Sequence, residues 1–221
     1  MAVLQFHWGD TLYELAWLLA SAIAVVVYER AQRGKATDEE HMPNLRGWQA
    51  RVRAQWVTTL MRTGKQEILG VQTLRNSVMA ASFMASLSGL AIPGALTLSA
   101  DVSRLAIEWH RELGLPFAAS LQPVKSVLLL AIFFAAFVMF VQAIRLYNHV
   151  GYMIALPLDA PFAVQPDEVA RYLNRAGRSF TNGIRIFFAC LPAAAWLIDV
   201  HLLAASTVIL LLILRDFDKR A

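Results

Sequence analysis

Long apolar runs separated by polar, arginine-rich stretches form the main pattern of the chain. A run of roughly 20 apolar residues is the length that a helix needs to cross the ~30 Å hydrocarbon core of a bilayer. We therefore predict an all-α fold, a polytopic transmembrane helical bundle that forms a single membrane domain over residues 1–221. Four long spans and a short fifth are predicted, at about residues 11–28, 71–98, 127–147, 182–198 and 202–214.

The apolar sequence between Phe180 and Leu214 is too long for one span, and Asp199 and His201 interrupt it. One continuous helix would be roughly 50 Å long and would carry Arg215 to the outer side. A helix that ends before Asp199, a tight turn and a short return helix bring this cation back to the cytoplasm, and the sequence favours this arrangement. Because the predicted return helix spans only ~20 Å, we expect a thinned bilayer around it or shelter within the bundle.

Two polar stretches have apolar residues at helical spacing. Over residues 45–62 these residues recur three and four apart and oppose several arginines. Residues 167–178 repeat the pattern, with acids at the start and arginines at the end, an order that suits the helix dipole. We predict two amphipathic helices on the cytoplasmic side of the membrane.

Arginine and lysine follow the first apolar run, whereas the first ten residues contain neither. Cationic residues beside a span remain in the cytoplasm, so the amino terminus is predicted to lie outside. The same order of segments indicates a membrane anchor rather than a secretory signal peptide. The localisation that follows is a multi-pass protein of the bacterial cytoplasmic membrane.

The composition excludes an ordinary soluble domain. Hydrophobic residues make up 57% of the chain and charged residues 16%, against about 25% charged residues in a typical soluble protein. The net charge of +4 comes from cations beside apolar segments, which favours contact with anionic membrane lipids over nucleic-acid binding. With the single cysteine Cys190, no internal disulfide can form.

Small residues mark one face of the predicted second span. Ala81, Ala85 and Gly89 fall four apart, so they share a helix face. Small side chains at this spacing allow another backbone to approach closely. We expect this helix to be central in the bundle or at a subunit contact, and the chain to form a homo-oligomer.

The connection between the second and third spans is predicted to form a short surface helix, because apolar and charged side chains alternate from Asp101 to Gln122. Glu108, His110 and Glu112 in this stretch are residue types that ligate metals. On a helix, however, residues 108 and 110 point roughly 200° apart, so a solvated helix face is favoured over a zinc site.

Other polar residues at the predicted outer side are only weak metal candidates. They are far apart in the sequence, and solvated loop ends would have the same composition. No metal, no cofactor and no catalytic residue is predicted, since the chain has no phosphate-binding loop, dinucleotide loop or nucleophile beside a base. The weak candidates are Glu14, Asp199 and His201, together with His7 and Asp10.

Three short strings of the chain resemble the domain of unknown function 599 family. They are Leu69 to Asn76 (LGVQTLRN), Ala143 to Val150 (AIRLYNHV) and Gly183 to Phe187 (GIRIF). The resemblance covers nearly the whole chain and implies a multi-pass membrane protein of a kind found in bacteria and plants, with no established activity. Where the resemblance leads us to expect a Gly-Pro-like break, this chain has Ile198-Asp199-Val200-His201.

A set of arginine, amide and imidazole side chains is predicted to lie at one depth, at the cytoplasmic ends of the second, third and fourth spans. Guanidinium groups match carboxylate and phosphate geometry, so the set predicts a site for a small anion or a lipid headgroup. The alternative is that these arginines reach to bulk lipid phosphates and only fix the topology. The set consists of Gln72, Arg75, Asn76, Arg145, Asn148, His149 and Arg185.

Three functional classes follow from these patterns. The first is an oligomeric transporter or channel whose polar helix ends line a pathway. The second is a scaffold or accessory subunit that binds lipids or partner helices. The third, a haem or metal redox protein, is the least favoured, because the histidines are divided between the two predicted sides of the membrane.

Overall fold

The structure, a computed structural model, describes residues 8–34, 45–63, 67–114 and 117–218. These residues form seven α-helices and a short 3-10 turn at Ala119–Leu121, with no strand among them. The prediction of an all-α fold is confirmed. The helices are α1 (Trp8–Gly34), α2 (Leu45–Thr63), α3 (Glu67–Leu113), α4 (Gln122–Ile154), α5 (Pro166–Phe188), α6 (Cys190–Ile198) and α7 (Val200–Asp218).

Five helical segments are long and apolar enough to cross a membrane, as predicted. One of them combines α5 and α6, which are separated only at Ala189. The last, α7, has 19 residues and reaches about 28 Å, close to the thickness of the hydrocarbon core. The return helix is therefore longer at both ends than the predicted 202–214, and the thinning expected around it is not needed.

The surface helix predicted between Asp101 and Gln122 is not a separate element. Helix α3 continues through Pro93 to Leu113 and is about 70 Å long. It continues because buried side chains such as Ser99, Ala106 and His110 extend its inward stripe past the predicted end. Gly114, with φ +65°, follows the last helical residue in the left-handed conformation that glycine adopts readily.

The amphipathic segment predicted over residues 167–178 is the first half of α5 rather than an independent helix. Its buried residues Val169, Leu173 and Ala176 form a stripe that continues to Gly183. The segment therefore runs directly into the bundle. The other amphipathic segment, over residues 45–62, is the separate helix α2 and packs mainly on α5.

Helix α4 lies at the centre, packed along α3 on one side and α5 on the other. The small residues of α3 face α4: Ala81 and Ala85 are buried in this interface, and a Cβ at Gly89 would lie 3.7 Å from Phe137. This small-residue face is therefore used within the chain. The homo-oligomer remains a prediction.

An apolar layer separates the two ends of the bundle. The rings of Phe140 and Phe180 meet edge to face, with 5.7 Å between their centroids, and Ala85 and Ala136 pack beside Phe140. We call the end where α4 begins the Lys125 end, and the end where α4 finishes the basic end.

Candidate anion-binding site

The last turns of α4 and the first half of α5 enclose an open cavity of about 720 Å³ at the basic end. We call it the α4–α5 groove. Helix α4 contributes Arg145, Asn148 and His149, which share one helix face because they lie three and four residues apart. Helix α5 contributes Tyr172 and Arg175. The remaining lining residues are Val141, Gln142, Ile144, Leu146 and Tyr152.

The α4–α5 groove is cationic and partly apolar. Arg145 and Arg175 are exposed, and no aspartate or glutamate is among its lining residues. The rings of His149 and Tyr172 meet edge to face, with centroids 5.3 Å apart, so they connect α4 and α5 within the groove. Arg171 and Arg178 border a smaller cavity of about 350 Å³, which shares Tyr172 and Arg175 with the α4–α5 groove. The charges along this face of α5 therefore add to a positive field.

The predicted residues of α3 lie apart from this groove. Gln72, Arg75 and Asn76 are exposed near the start of α3, and none of them lines the cavity. The structure thus brings together the predicted residues of α4 and not those of α3. Tyr172 and Arg175 were not predicted as site residues from the sequence. The arginines at 171, 175 and 178 of the amphipathic segment were the signal that could have indicated them.

Arg185 is engaged elsewhere. Its guanidinium group forms ion pairs with Glu29 of α1 and Asp218 of α7, and its side chain is 10% exposed. The hydroxyl of Tyr28 donates a hydrogen bond of 2.9 Å to the second oxygen of Asp218. Two carboxylates compensate this cation, so Arg185 joins α1, α5 and α7 and lies outside the α4–α5 groove.

At the Lys125 end, Glu14 is the centre of a buried polar cluster. Its carboxylate lies 2.7 Å from Nζ of Lys125, and it accepts hydrogen bonds from the amide of Ala118 at 2.9 Å and the indole of Trp196 at 3.0 Å. The rings of Phe117 and Trp196 lie 4.8 and 5.2 Å from the same ammonium. Lys125, which the sequence placed before the third span, lies inside α4.

Asp199 and His110 form a second polar contact at this end. The Nε2 atom of His110 lies 2.9 Å from Asp199 Oδ2, and its Nδ1 lies 2.7 Å from the carbonyl oxygen of Ala106. The imidazole ring is therefore held between the carboxylate of Asp199 and the backbone of α3. The contact between His110 and Asp199 was not predicted from the sequence.

Asp199 also caps α7, because its Oδ1 accepts hydrogen bonds from the amides of His201 and Leu202 at 2.6 and 3.3 Å. Burial alone would raise the pKa of Asp199, but the hydrogen bonds from His110 and from these two amides outweigh it and lower the pKa below its ordinary value. This cap supplies the break that a Gly-Pro pair was expected to make.

The weak metal candidates do not converge. Glu14 faces Lys125, Asp199 faces His110, and the exposed ring of His201 lies against Tyr13 and Trp17 at centroid distances of 6.2 Å. Within the described ranges, no three His, Cys, Asp or Glu side chains are grouped as metal ligands. His7 lies outside those ranges.

One family model matches residues 16–221, and its description is protein of unknown function, DUF599. This match confirms the resemblance found from the three sequence strings. No curated protein and no solved structure matches the chain.

Proposed function

The chain belongs to the DUF599 family, and from this premise we propose that it is a membrane protein that binds the anionic headgroup of a lipid in the α4–α5 groove. One observation carries the proposal: Arg145 and Arg175, from two different helices, line one cavity in which no described residue is acidic. Two guanidinium groups beside one cavity, neither of them paired with a carboxylate in the described part of the chain, attract a phosphate or carboxylate.

The remaining lining of the groove suits an amphiphile. Asn148, His149 and Tyr172 can donate hydrogen bonds to the outer oxygens of a phosphate. Val141 and Ile144 lie toward the membrane interior from them and offer apolar contact to the first part of an acyl chain. Arginines that only reach to bulk lipid would not need a shared cavity, so its presence favours a specific site.

The apolar layer around Phe140 and Phe180 bears on the choice between transport and a scaffold role. It fills the centre between the two ends of the bundle, and a pathway for a charged solute through one chain would have to cross it. This favours a lipid-binding scaffold or accessory protein over a channel within one chain. Transport, which would then involve an oligomer, is the second candidate.

The exposed arginines at the basic end support placing that end in the cytoplasm, with the amino terminus outside. The same arginines are attracted to the anionic lipids of the cytoplasmic leaflet, and each cation near the membrane surface strengthens this attraction by about 1 kcal/mol. We propose that the protein lies in a bacterial cytoplasmic membrane.

Native mass spectrometry of the full chain in a mild detergent tests the proposed site. We expect a tightly bound phosphatidylglycerol that phosphatidylcholine does not replace, and we expect Arg145→Gln or Arg175→Gln to weaken its binding roughly tenfold or more. Arg75→Gln is the matched control, because it removes an exposed arginine of the basic end that does not line the groove. Equal loss in all three variants would mean that the arginines act only as bulk lipid anchors.

A further inference from the structure

The smaller cavity beside the α4–α5 groove has only residues of α5 in its lining. We call it the Arg178 cavity; its volume is about 350 Å³, and it is lined by Arg171, Tyr172, Asn174, Arg175 and Arg178. Tyr172 and Arg175 also line the α4–α5 groove, so the two cavities adjoin at these side chains. A ligand of sufficient size can therefore occupy both cavities at once.

Three arginines of α5 form a row along this surface. Arg171, Arg175 and Arg178 lie four and three residues apart, so they share one helix face, and all three are exposed. The first and last are seven residues apart, which is a rise of about 10 Å along the helix. A single phosphate contacts only the guanidinium groups next to it, so a row of this length has room for two anionic groups.

Arg145 of α4 lies at the level of this row. Two ring contacts between α4 and α5 bracket it, the apolar layer on one side and the contact of His149 with Tyr172 on the other. Arg145 lies between these contacts on α4, and Arg175 and Arg178 lie between them on α5. The three cations are therefore at one level, within about two helical turns of the apolar layer.

No carboxylate neutralises these arginines in the described part of the chain. None lines either cavity, and the ion pairs of the bundle involve other cations. The acids nearest in the sequence, Asp167 and Glu168, belong to the first turn of α5 and lie outside both linings. The four cations therefore add to one positive field, which attracts an anion of more than one charge.

We infer that the two cavities together bind one lipid whose headgroup carries two phosphates joined by a short bridge, as in cardiolipin. The first phosphate lies between Arg145 and Arg175, and the second lies in the Arg178 cavity, where Arg171 and Arg178 reach it. Basic pockets on the cytoplasmic side of membrane helices suit headgroups of this kind. The inference rests on the proposed headgroup site and specifies the class of lipid that this site takes.

Native mass spectrometry of the full chain in a mild detergent compares tetraoleoyl cardiolipin, which has two phosphates, with dioleoyl phosphatidylglycerol, which has one. We expect one bound cardiolipin, with an affinity roughly tenfold or more above that of phosphatidylglycerol, because the second phosphate gains charged hydrogen bonds. Arg171→Gln or Arg178→Gln should weaken cardiolipin binding roughly tenfold and should change phosphatidylglycerol binding by no more than about twofold.

Both substitutions leave the fold intact, because the two side chains are exposed and form no hydrogen bond or ion pair with described residues. Arg51→Gln is the control with the same change of charge, on an exposed arginine of α2 that lines neither cavity. It should leave the ratio of the two affinities unchanged. An equal loss of cardiolipin in Arg51→Gln would overturn the inference, because binding would then follow net charge alone.

Arg145→Gln separates this inference from the proposed function. It should weaken both lipids, since it acts on the phosphate that both lipids place in the α4–α5 groove. If phosphatidylglycerol binding depends on Arg145 but cardiolipin binds no more tightly, the proposed site stands and the inference fails. If the binding of neither lipid depends on Arg145, the proposed site itself fails.

Two further results count against a single lipid that occupies both cavities. Two phosphatidylglycerol molecules bound at once, the second of them lost in Arg178→Gln, would make the cavities separate sites for lipids with one phosphate. Displacement of bound cardiolipin by inorganic pyrophosphate, which has no acyl chains, would mean that the arginines take a soluble diphosphate instead.

Discussion

Glu14 of α1 and Lys125 of α4 form a buried ion pair, with 2.7 Å between Oε2 and Nζ and side-chain exposures of 4% and 0%. Among the described side chains of α1, only Thr11 and Glu14 are buried, and Leu18 is a partly buried apolar residue that packs against the cluster around Trp196. The pair therefore attaches a peripheral helix to the central one. The opposite end of α1 is held in a similar way, through Glu29 and Arg185.

Replacing one partner of this pair should destabilise the protein strongly. Glu14→Gln leaves the ammonium of Lys125 buried without its counter-ion, and removal of one member of a buried pair costs about 3–5 kcal/mol. The loss is measured as a fall in thermal stability in detergent.

The double variant Glu14→Gln with Lys125→Met should recover most of that stability, because no uncompensated charge remains. If the single and double variants are equally unstable, the hydrogen bonds from Ala118 and Trp196, rather than the ion pair, give Glu14 its importance.

Asp199 should make the stability of the protein dependent on acid pH. The pKa of Asp199 is lower in the folded state than the pKa of about 3.9 in the unfolded chain. The stability that its charge contributes is therefore fully present above the unfolded pKa, and it is lost as the pH falls through the folded pKa. Asp199→Asn keeps a capping oxygen but removes the charge that faces His110. The variant should be less stable than the wild type at pH 7, and this difference should shrink below about pH 4.

Asp199→Ala separates the two roles of the carboxylate. It also removes the cap of α7, and loss of an N-cap costs about 1 kcal/mol beyond the loss of charge. This additional loss should persist at acid pH. Thermal denaturation of the three proteins at both pH values measures it, and a pH-independent difference for Asp199→Asn would contradict the assigned role.

The sequence predicted the fold well because bilayer thickness sets the length of each span and leaves few alternatives. The break at Asp199 was also predicted, since two polar residues interrupt an apolar run too long for one helix. The extent of α3 was not, because the charged residues after Asp101 concealed the inward stripe formed by Ser99, Ala106 and His110.

The partners of the polar residues could not be predicted from the sequence. Glu14 and Lys125 are far apart in the chain, and only the arrangement of α1 beside α4 and α6 brings them together. Arg185 was grouped with Arg145 by depth alone, which gives no information about its position around the bundle. The depth of a residue in the membrane follows from the apolar pattern of the sequence. The direction in which its side chain points depends on how the helices pack.

Arg185 should be more important for assembly of the helices than for anion binding. Arg185→Gln removes the cation that pairs with both Glu29 and Asp218, and a loss of about 3 kcal/mol or more is expected. Arg185→Lys should recover only part of it, because an ammonium lacks the planar fork that bonds both acids. Limited proteolysis of α1 and α7 reports the loosening, and unchanged proteolysis in Arg185→Gln would count against this role.

Gly183 should tolerate no side chain, because it lies where α5 crosses α4. A Cβ atom there would lie 2.7 Å from Cε1 of Phe140, a ring that is itself fully buried. A packed ring cannot move aside easily, so Gly183→Ala should lower stability by about 1–3 kcal/mol. Thermal denaturation in detergent measures the change, and Phe140→Leu in the same chain should restore part of the loss by vacating the space.

Two other glycines provide controls for this prediction. Nothing lies within 4 Å of a Cβ atom at Gly94, so Gly94→Ala should be neutral or raise stability by up to about 1 kcal/mol through helix propensity. At Gly70 the added atom meets Cδ2 of Leu60 at 2.5 Å, the end of a flexible side chain that can rotate. Gly70→Ala should therefore lie between the other two variants. If Gly183→Ala is as stable as Gly94→Ala, α4 and α5 are not in close contact at Phe140, and the apolar layer between the two ends of the bundle is looser than the structure describes.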